Sequence, residues 1–188
     1  MKRRAAVMVV CLAVALPLAA AAQPAKAPTI GVLVVGNLEP FWSPFRQGLR
    51  DHGYVEGQNV VIEFRSGGGK LSLLPDLAAD LVRLKVDVIV ASETPAVSAA
   101  KQATREIPIV MAPSGDPVRT GQIVSLAAPG GNVTGLSAAT AELAGKSLDL
   151  IREIFPSARS VGVLADPMNP FTRPFLEQIQ LAGGVLGI

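Results

Sequence analysis

The sequence has little that could hold a metal ion. Its 188 residues include one cysteine and one histidine. Cys11 lies in an amino-terminal apolar stretch that we expect to be removed, so the mature protein has neither a disulfide nor a cysteine-based metal site. His52 has no second histidine or cysteine to share a metal with, and we predict that it caps the carboxyl end of a helix. We therefore predict no metal site.

The sequence also lacks the motifs of common enzyme and cofactor sites. No G-x-G-x-x-G follows the first predicted strand, so a dinucleotide cofactor has no support, and no G-x-S-x-G provides a hydrolase serine. The glycines 67–69 with Lys70 fail as a phosphate loop, because Phe64 and Leu71 stand where that motif needs glycine and a hydroxyl residue. We predict no cofactor and no enzymatic activity.

The first 22 residues are typical of a secretory signal peptide. A basic start, 1–4, precedes an apolar stretch, 5–18, and the small residues 20–22 fit a cleavage site. We predict cleavage near Ala22, export to the bacterial periplasm, and a linker at 23–28.

Removal of this segment changes the charge balance. The whole chain has 17 lysines and arginines against 15 acidic residues, and loss of Lys2, Arg3 and Arg4 leaves 14 basic residues. The mature chain is then nearly neutral, which gives no support for binding to nucleic acid.

Two periodicities alternate along the rest of the chain. Continuous apolar runs of strand length are followed by apolar residues at helical spacing, which indicates βαβ units around a parallel sheet. The predicted strands are 29–35, 60–64, 86–91 and 107–111. The predicted helices are one capped by Ser43 and ending at Gly53, one from Leu74 to near Lys85, and 95–105.

A second α/β unit follows a region rich in turns. Its elements are a short apolar piece at 133–136, a helix from Leu143 to Ile154, a strand at 160–165 and a helix that starts near Thr172. We place a boundary between a first α/β lobe at 29–134 and the start of a second lobe at 135–188. Two βα units cannot cover both faces of a sheet, so this second unit is either incomplete or packed on the first.

Polar residues follow three of the predicted strands. They are Gly36 and Asn37 after the first strand, Ser92, Glu93 and Thr94 after the third, and Ser114 and Asp116 after the fourth. Because open α/β sheets bind ligands at the carboxyl ends of their strands, these residues predict a binding cleft.

Several residues near this cleft leave alternatives open. Thr94 and the backbone N–H groups at the helix start would hold a carboxylate, or Ser92 and Thr94 would only cap that helix. Asp116 would accept an ammonium group, or would form an ordinary Asp-Pro turn. Phe41 and Trp42 would stack on a ligand, or would pack against the helix that follows them.

Four stretches of the chain together resemble a known family. They are GLRDHGYVEGQNVVIEFR, LPDLAADLVRLKVDVIVASETPAVSAAKQAT, IPIVMAPSGDPV and PGGNVTGLS. In this order and approximate spacing they resemble the exported substrate-binding proteins of ABC transporters, in the group related to the tryptophan-binding TrpX type. The resemblance runs from about Thr29 to the end of the chain.

The resemblance implies a type I periplasmic binding protein fold, in which two α/β lobes joined by crossing strands trap a ligand between them. The family's ligand loops correspond to Gly36-Asn37, 92–94 and 114–117 in the first lobe. A second-lobe loop at 166–170 adds Asp166 and Asn169 to the predicted ligand-binding residues. Because family members continue through the rest of the second lobe, the chain resembles their amino-terminal portion.

The function implied by this resemblance is transport. The protein would capture a small polar molecule, for which an amino acid is one candidate, and would deliver it to an ABC transporter permease in the inner membrane. The residues alone leave two alternatives open. One is a secreted α/β enzyme with its site at the same strand ends, and the other is a ligand-sensing lobe whose partner is another protein.

Overall fold

The structure is a computed structural model that describes residues 26–37, 39 and 41–188. The predicted signal peptide and most of the predicted linker lie outside these residues. Within the described part of the chain, no helix is both long and apolar enough to cross a membrane.

Among the described residues, five strands form one parallel sheet. They are β1 (Thr29–Val34), β2 (Val61–Ser66), β3 (Val88–Ser92), β4 (Ile109–Ser114) and β5 (Val133–Ser137). Their order across the sheet is β2-β1-β3-β4-β5, and every neighbouring pair is parallel. The predicted α/β class and parallel sheet are confirmed. β5 pairs with β4 as far as Ser137, so the predicted lobe boundary after residue 134 falls inside a strand of this sheet.

The part of the chain that the structure describes also contains five α-helices. They are α1 (Trp42–Asp51), α2 (Leu74–Arg83), α3 (Thr94–Ala103), α4 (Thr140–Ile154) and α5 (Thr172–Leu186). A short 3₁₀ turn, Leu71–Leu73, leads into α2.

The core lies mainly on the face of the sheet that α2 and α3 cover. Leu33, Ile89 and Ile109 have no exposed surface, and they pack with Leu81 of α2 and Val97 of α3. Alternate strand residues point to opposite faces, which places one apolar set under each layer of helices. This packing holds β1, β3 and β4 in fixed register, and their carboxyl ends carry the predicted cleft.

α1 covers the other face of the sheet over β1 and β2. Trp42 and Phe45 pack against a second buried cluster that includes Val32 and Val34. The Trp42 ring also lies 5.6 Å from the Phe45 ring and 5.3 Å from the Phe64 ring, measured between centroids. Of the two alternatives for Trp42, packing beside its own helix is the one observed.

The two ends of α1 differ in how well the sequence predicted them. The expected cap at Ser43 is wrong, because the helix begins at Trp42 with Phe41 in the capping position and no side chain bonded there. The Phe41 carbonyl already accepts a hydrogen bond from Phe45 N, so the first turn closes one residue earlier. The role predicted for His52 is confirmed, since its Nδ1 lies 2.9 Å from the Gly48 carbonyl oxygen at the helix end.

The carboxyl-terminal region contains the predicted helices but not the predicted strand. α4 and α5 pack against each other. Residues 160–165 adopt no regular structure, and Leu164 is fully exposed. A strand needs a neighbour for its backbone hydrogen bonds, and this segment pairs with none of the strands among the described residues. The apolar pattern therefore predicted a strand that has nothing to pair with here.

Stability should depend on pH through Asp80, which joins α2 to β2. Arg65 Nε donates to Asp80 Oδ2 at 2.6 Å, and this bond, with the nearby Arg83, lowers the pKa of the Asp80 carboxyl. The folded state therefore binds this proton less readily than the unfolded chain, so the stabilisation is complete above the unfolded pKa and is lost as pH falls through the folded one.

We expect Asp80→Asn to be less stable than the parent at pH 7, with a difference that shrinks as pH falls below the ordinary carboxyl value of 3.8. Urea unfolding at a series of pH values measures this difference. A difference that stays constant down to pH ~2 would contradict the role of the Arg65–Asp80 pair, since the Asp80 carboxyl of the unfolded chain is protonated there.

Candidate functional site

The carboxyl ends of β1, β3 and β4 meet at one edge of the sheet. Because the sheet order places β3 between β1 and β4, the loops that follow these strands are direct neighbours. Val34 of β1 is level with Ser92 of β3. Glu93 N donates to the Pro113 carbonyl oxygen of β4 at 2.9 Å. The structure thus brings together the three groups of first-lobe residues predicted for the cleft.

Glu93 has an unusual backbone at the joint between β3 and α3. Its φ of 72° and ψ of 151° lie in a region that is almost restricted to glycine, and such strain is typical of functional sites. Partial desolvation raises the pKa of its carboxyl, although the residue as a whole is exposed. The strained residue turns the chain sharply, so that α3 begins at the next residue.

Thr94 does not cap α3, contrary to one of the two predicted roles. The helix starts at Thr94 itself, with Glu93 in the capping position and no side-chain capping bond. The Thr94 hydroxyl points to β4 instead, where Oγ1 lies 3.1 Å from Ser114 Oγ and accepts a hydrogen bond from Gly115 N at 3.0 Å. Thr94 and Ser114 are both buried, so these hydroxyls tie the two loops together.

Gln122 completes this connection and was missed by sequence reasoning. Its Oε1 accepts from Ser114 Oγ at 2.6 Å, and its Nε2 donates to the Thr94 carbonyl oxygen at 2.9 Å. Only 3% of its surface is exposed. Gln122 lies in a turn-rich stretch without periodicity, and its partners are 8 and 28 residues away, so no local signal identified it.

Asp116 is bound to its own turn in this structure. Its Oδ1 accepts from Arg119 N at 3.0 Å, and its Oδ2 lies 3.5 Å from Arg119 Nε. Thr120 Oγ1 donates to the Asp116 carbonyl oxygen, which closes the same turn. An incoming ammonium group would therefore share this carboxylate with Arg119.

The loop after β1 presents small and polar groups. Gly36 is half-buried, and its carbonyl oxygen accepts from Ser66 Oγ of β2 at 2.6 Å. Asn37 is exposed, and its Oδ1 accepts from Glu39 N at 3.1 Å. Gly36 is thus held by β2, while the Asn37 side chain forms a hydrogen bond within its own turn.

The predicted second-lobe residues form the turn that leads into α5. Asp166 Oδ1 accepts from Met168 N, and Asn169 Oδ1 accepts from Phe171 N at 3.0 Å. The Phe171 ring reaches the loop after β4, since a Cβ placed on Gly115 would lie only 2.8 Å from Phe171 Cδ2. The structure therefore brings this turn to the β4 loop through Phe171, while the two polar side chains bond locally.

A small apolar cavity opens beside Ser92. Its volume is about 60 Å³. It is lined by Val32, Val34, Phe41, Phe45, Val90, Ser92 and Ala112. Phe41 is itself 69% exposed, which leaves this aromatic side chain available at the rim. The edge therefore combines hydroxyls and backbone amides with an adjoining apolar surface.

A larger and more open groove lies along the flank of α3. Its volume is about 670 Å³, and its lining includes Lys101, Arg105 and Asn132, with Gln122 at the side nearest the loop after β4. Asn132 immediately precedes β5, so the groove runs toward the amino ends of the strands. The groove therefore lies apart from the loops that carry Gly36 and Ser92, and size alone does not make it the site.

The polar groups at the strand ends are suited to binding a small molecule. Among the described residues, no group of three or more histidine, cysteine, aspartate or glutamate side chains could hold a metal ion. The groups present are backbone N–H donors at the start of α3, hydroxyl oxygens and carboxylates. Such groups recognise a small polar molecule by hydrogen bonds and charge.

Solved structures and a curated protein are similar to this chain. A conserved domain protein from Vibrio cholerae matches with a TM-score of 0.78 and 30% identity, over 87% of this chain and 55% of that one. A protein from Streptococcus pneumonia, solved in complex with L-Trp, matches with a TM-score of 0.77 and 27% identity over the same shares. A tyrosine-binding protein from Clostridioides difficile strain R20291 is 38% identical over 120 residues, 64% of this chain and 34% of that protein.

These matches cover only part of each relative. The chain spans about a third of the length of the curated protein and about half the length of the two solved structures. The predicted type I periplasmic binding protein fold class is confirmed by a leucine-binding protein, LivK from Thermotoga maritima, which shares the fold with a TM-score of 0.58 and 17% identity over 83% of this chain and 46% of that one. The family model for the ABC transporter substrate binding protein matches residues 36–182, which is most of the sequence and includes every strand-end loop described above. The chain belongs to the ABC transporter substrate-binding protein family.

Proposed function

We propose that the complete protein captures an amino acid outside the cytoplasm and delivers it to a membrane permease. The observation that carries this proposal is the meeting of the β1, β3 and β4 loops at one edge of the sheet, in a chain of this family. Substrate-binding proteins hold a small molecule and release it to a partner, and the groups at this edge suit that task.

The chemistry of the edge favours an amino acid with an apolar or aromatic side chain. Backbone N–H groups at the start of α3 would bind the carboxylate beside Ser92, because a helix start attracts anions. The apolar cavity lined by Phe41 and Phe45 would receive part of the side chain. Two relatives support this class of ligand, since one is a tyrosine-binding protein and the other was solved with L-Trp.

The ammonium group of the ligand would be held by Asp116. This carboxylate is 15% exposed and lies on the loop after β4, on the same edge as Ser92. Gly36 and Asn37 would line the opposite side of the ligand. Glu93 would act through its strained backbone, which directs the N–H groups that follow it.

Capture would require closure of a second lobe over this edge. In this proposal the second lobe begins after β5, and the turn with Asp166 and Asn169 supplies its contacts. The ligand would touch both lobes only in the closed form, so binding would shift the population toward the form that the permease recognises. Export would follow from the signal peptide predicted at 1–22.

Calorimetric titration with L-tyrosine, L-tryptophan and L-leucine tests the proposal on the protein purified from its source at its natural length. We expect saturable binding of at least one of them. We also expect an affinity at least about tenfold lower for the corresponding amine, which lacks the carboxylate. Binding of none of the three, or turnover of any of them, would contradict the proposal.

A pair of serine variants locates the site in the same experiment. Ser92→Ala should weaken binding, because Ser92 lines the cavity at the end of β3. Ser43→Ala is the matched control, since Ser43 is exposed on α1 and lies outside the proposed site. Equal affinities for the two variants would place the ligand elsewhere.

A further inference from the structure

Both hydrogens of the buried Gln122 side-chain amide are donated in hydrogen bonds. Nε2 donates one hydrogen to the Thr94 carbonyl oxygen at 2.9 Å and the other to Ser98 Oγ at 3.0 Å. Since a carbonyl only accepts, Nε2 must face Thr94, and Oε1 must face Ser114 Oγ, 2.6 Å away. The orientation of the amide is therefore determined by its surroundings.

This orientation also determines where the two hydroxyl hydrogens point. Ser114 Oγ has one hydrogen, and it goes to Gln122 Oε1. In the 3.1 Å contact between the hydroxyls, Ser114 must then accept and Thr94 Oγ1 must donate. Thr94 Oγ1 in turn accepts from Gly115 N. A directed chain of bonds thus runs from the Gly115 amide through Thr94 and Ser114 to Gln122.

Neither hydroxyl has a hydrogen left for a ligand carboxylate. Thr94 and Ser114 are also 3% and 1% exposed, so they contribute little surface to the cleft. Their contribution is to hold the start of α3 against the loop after β4, with Gln122 as the group that joins them. A buried polar network of this kind is rigid when all of its members are bonded, and costly when one is removed.

We propose that Gln122 is a positioning residue that locks the Ser114–Asp116 loop against the start of α3 and thereby sets the affinity for ligand. The expected effect of Gln122 on ligand affinity rests on the proposed function. Its effect on the loop does not require a ligand. Loss of Gln122 would free both hydroxyls to rotate and would let Gly115 N–H open to solvent, so the groups that meet a ligand would no longer be held in place.

The test compares Gln122→Leu with Gln102→Leu on the full-length protein by amide hydrogen exchange. Gln102 undergoes the same chemical change but is exposed on α3. We expect Gln122→Leu to speed exchange of the Gly115 amide by about tenfold or more, while the Ile89 amide in the core sheet keeps its parental rate. A Gly115 rate unchanged by Gln122→Leu would overturn the proposal. Equal acceleration of Gly115 and Ile89 would also overturn it, because that result is general loss of stability.

Two further variants keep the test decisive if Gln122→Leu does not fold. Ser114→Ala removes the link between Gln122 and Thr94, and it should also accelerate Gly115 exchange. Ser98→Ala removes a Gln122 partner that joins neither loop, and it should leave the Gly115 rate within about twofold of the parent. Similar rates for the Ser114 and Ser98 variants would contradict the directed chain of bonds.

Affinity measurements separate this proposal from the proposed function. If the parent binds an amino acid, Gln122→Leu should weaken binding by about tenfold and Gln102→Leu should not weaken it. Unchanged affinity in Gln122→Leu overturns the effect on binding. If the parent binds no amino acid, the proposed function fails, and hydrogen exchange at Gly115 still decides whether Gln122 locks the loop.

Discussion

Replacing Gly135 with alanine is expected to lower the free energy of unfolding by about 3 kcal/mol, through steric overlap and backbone strain together. Gly135 lies in β5 with a φ of 129°, which side chains rarely adopt. A Cβ at this position would overlap the Met111 carbonyl oxygen and would lie 2.5 Å from Met111 N. Neither backbone atom can move away without breaking the pairing of β4 with β5.

The close approach at Gly135 has a cause in the strand pairing. Met111 pairs with Gly135 and Ser114 pairs with Ser137. Between these two pairs β4 therefore has one residue more than β5. Such a bulge bends the strand and brings its backbone closer to the partner. Only glycine leaves room for this approach.

Gly48→Ala is the matched control for this prediction. Gly48 lies within α1, and a Cβ there would meet nothing within 4 Å. Alanine in a helix interior stabilises by about 0.5–1 kcal/mol relative to glycine. The midpoint of urea unfolding should therefore fall for Gly135→Ala and rise for Gly48→Ala. A Gly135→Ala protein as stable as the parent would show that β5 does not pair as described.

Replacing Thr94 with valine is expected to cost about 2 kcal/mol of stability, since the change leaves buried polar groups without a partner. Valine keeps the shape of threonine but removes Oγ1. The Gly115 amide and the Ser114 hydroxyl then each lose a hydrogen bond at the junction of α3 and β4. The loss is large because Thr94 is buried and water has little access to the vacated bonds.

Thr94→Ser separates the hydroxyl from the rest of the side chain. Serine keeps the oxygen and gives up one methyl group, so we expect it to retain most of the parental stability. Unfolding midpoints in urea measure all three proteins on one scale. A Thr94→Val protein that unfolds at the parental urea concentration would show that the hydroxyl bonds of Thr94 contribute nothing to stability.

The fold of the first lobe was largely predictable because its signals are local. The runs at 29–35 and 86–91 are apolar apart from Thr29 and Asp87, as expected of strands buried on both faces, and the structure places β1 and β3 there. The segment at 160–165 has a similar apolar character, yet it forms no strand. Composition indicates that a segment can form a strand, but only a neighbouring strand makes it one.

The sequence predicted where the candidate site lies, but it did not predict which hydrogen bonds hold the site together. Strand ends and polar residues located the edge that carries Ser92 and Ser114. The sequence did not predict that the Thr94 hydroxyl bonds to β4 instead of its own helix, or that Gln122 lies beneath both loops. Those bonds join residues from 8 to 28 positions apart, and sequence patterns carry no signal for side-chain orientation across that separation.

The most direct test of the account is to map the ligand onto the strand ends by a heteronuclear NMR titration of backbone amides with L-tyrosine, L-tryptophan or L-leucine. The account predicts saturable shifts at Gly36, Thr94 and Gly115, at the ends of β1, β3 and β4. It predicts no shifts at Lys101 and Arg105, which line the open groove along α3. Shifts confined to that groove, or none at the strand ends at saturating ligand, would contradict the central claim that this edge binds the solute.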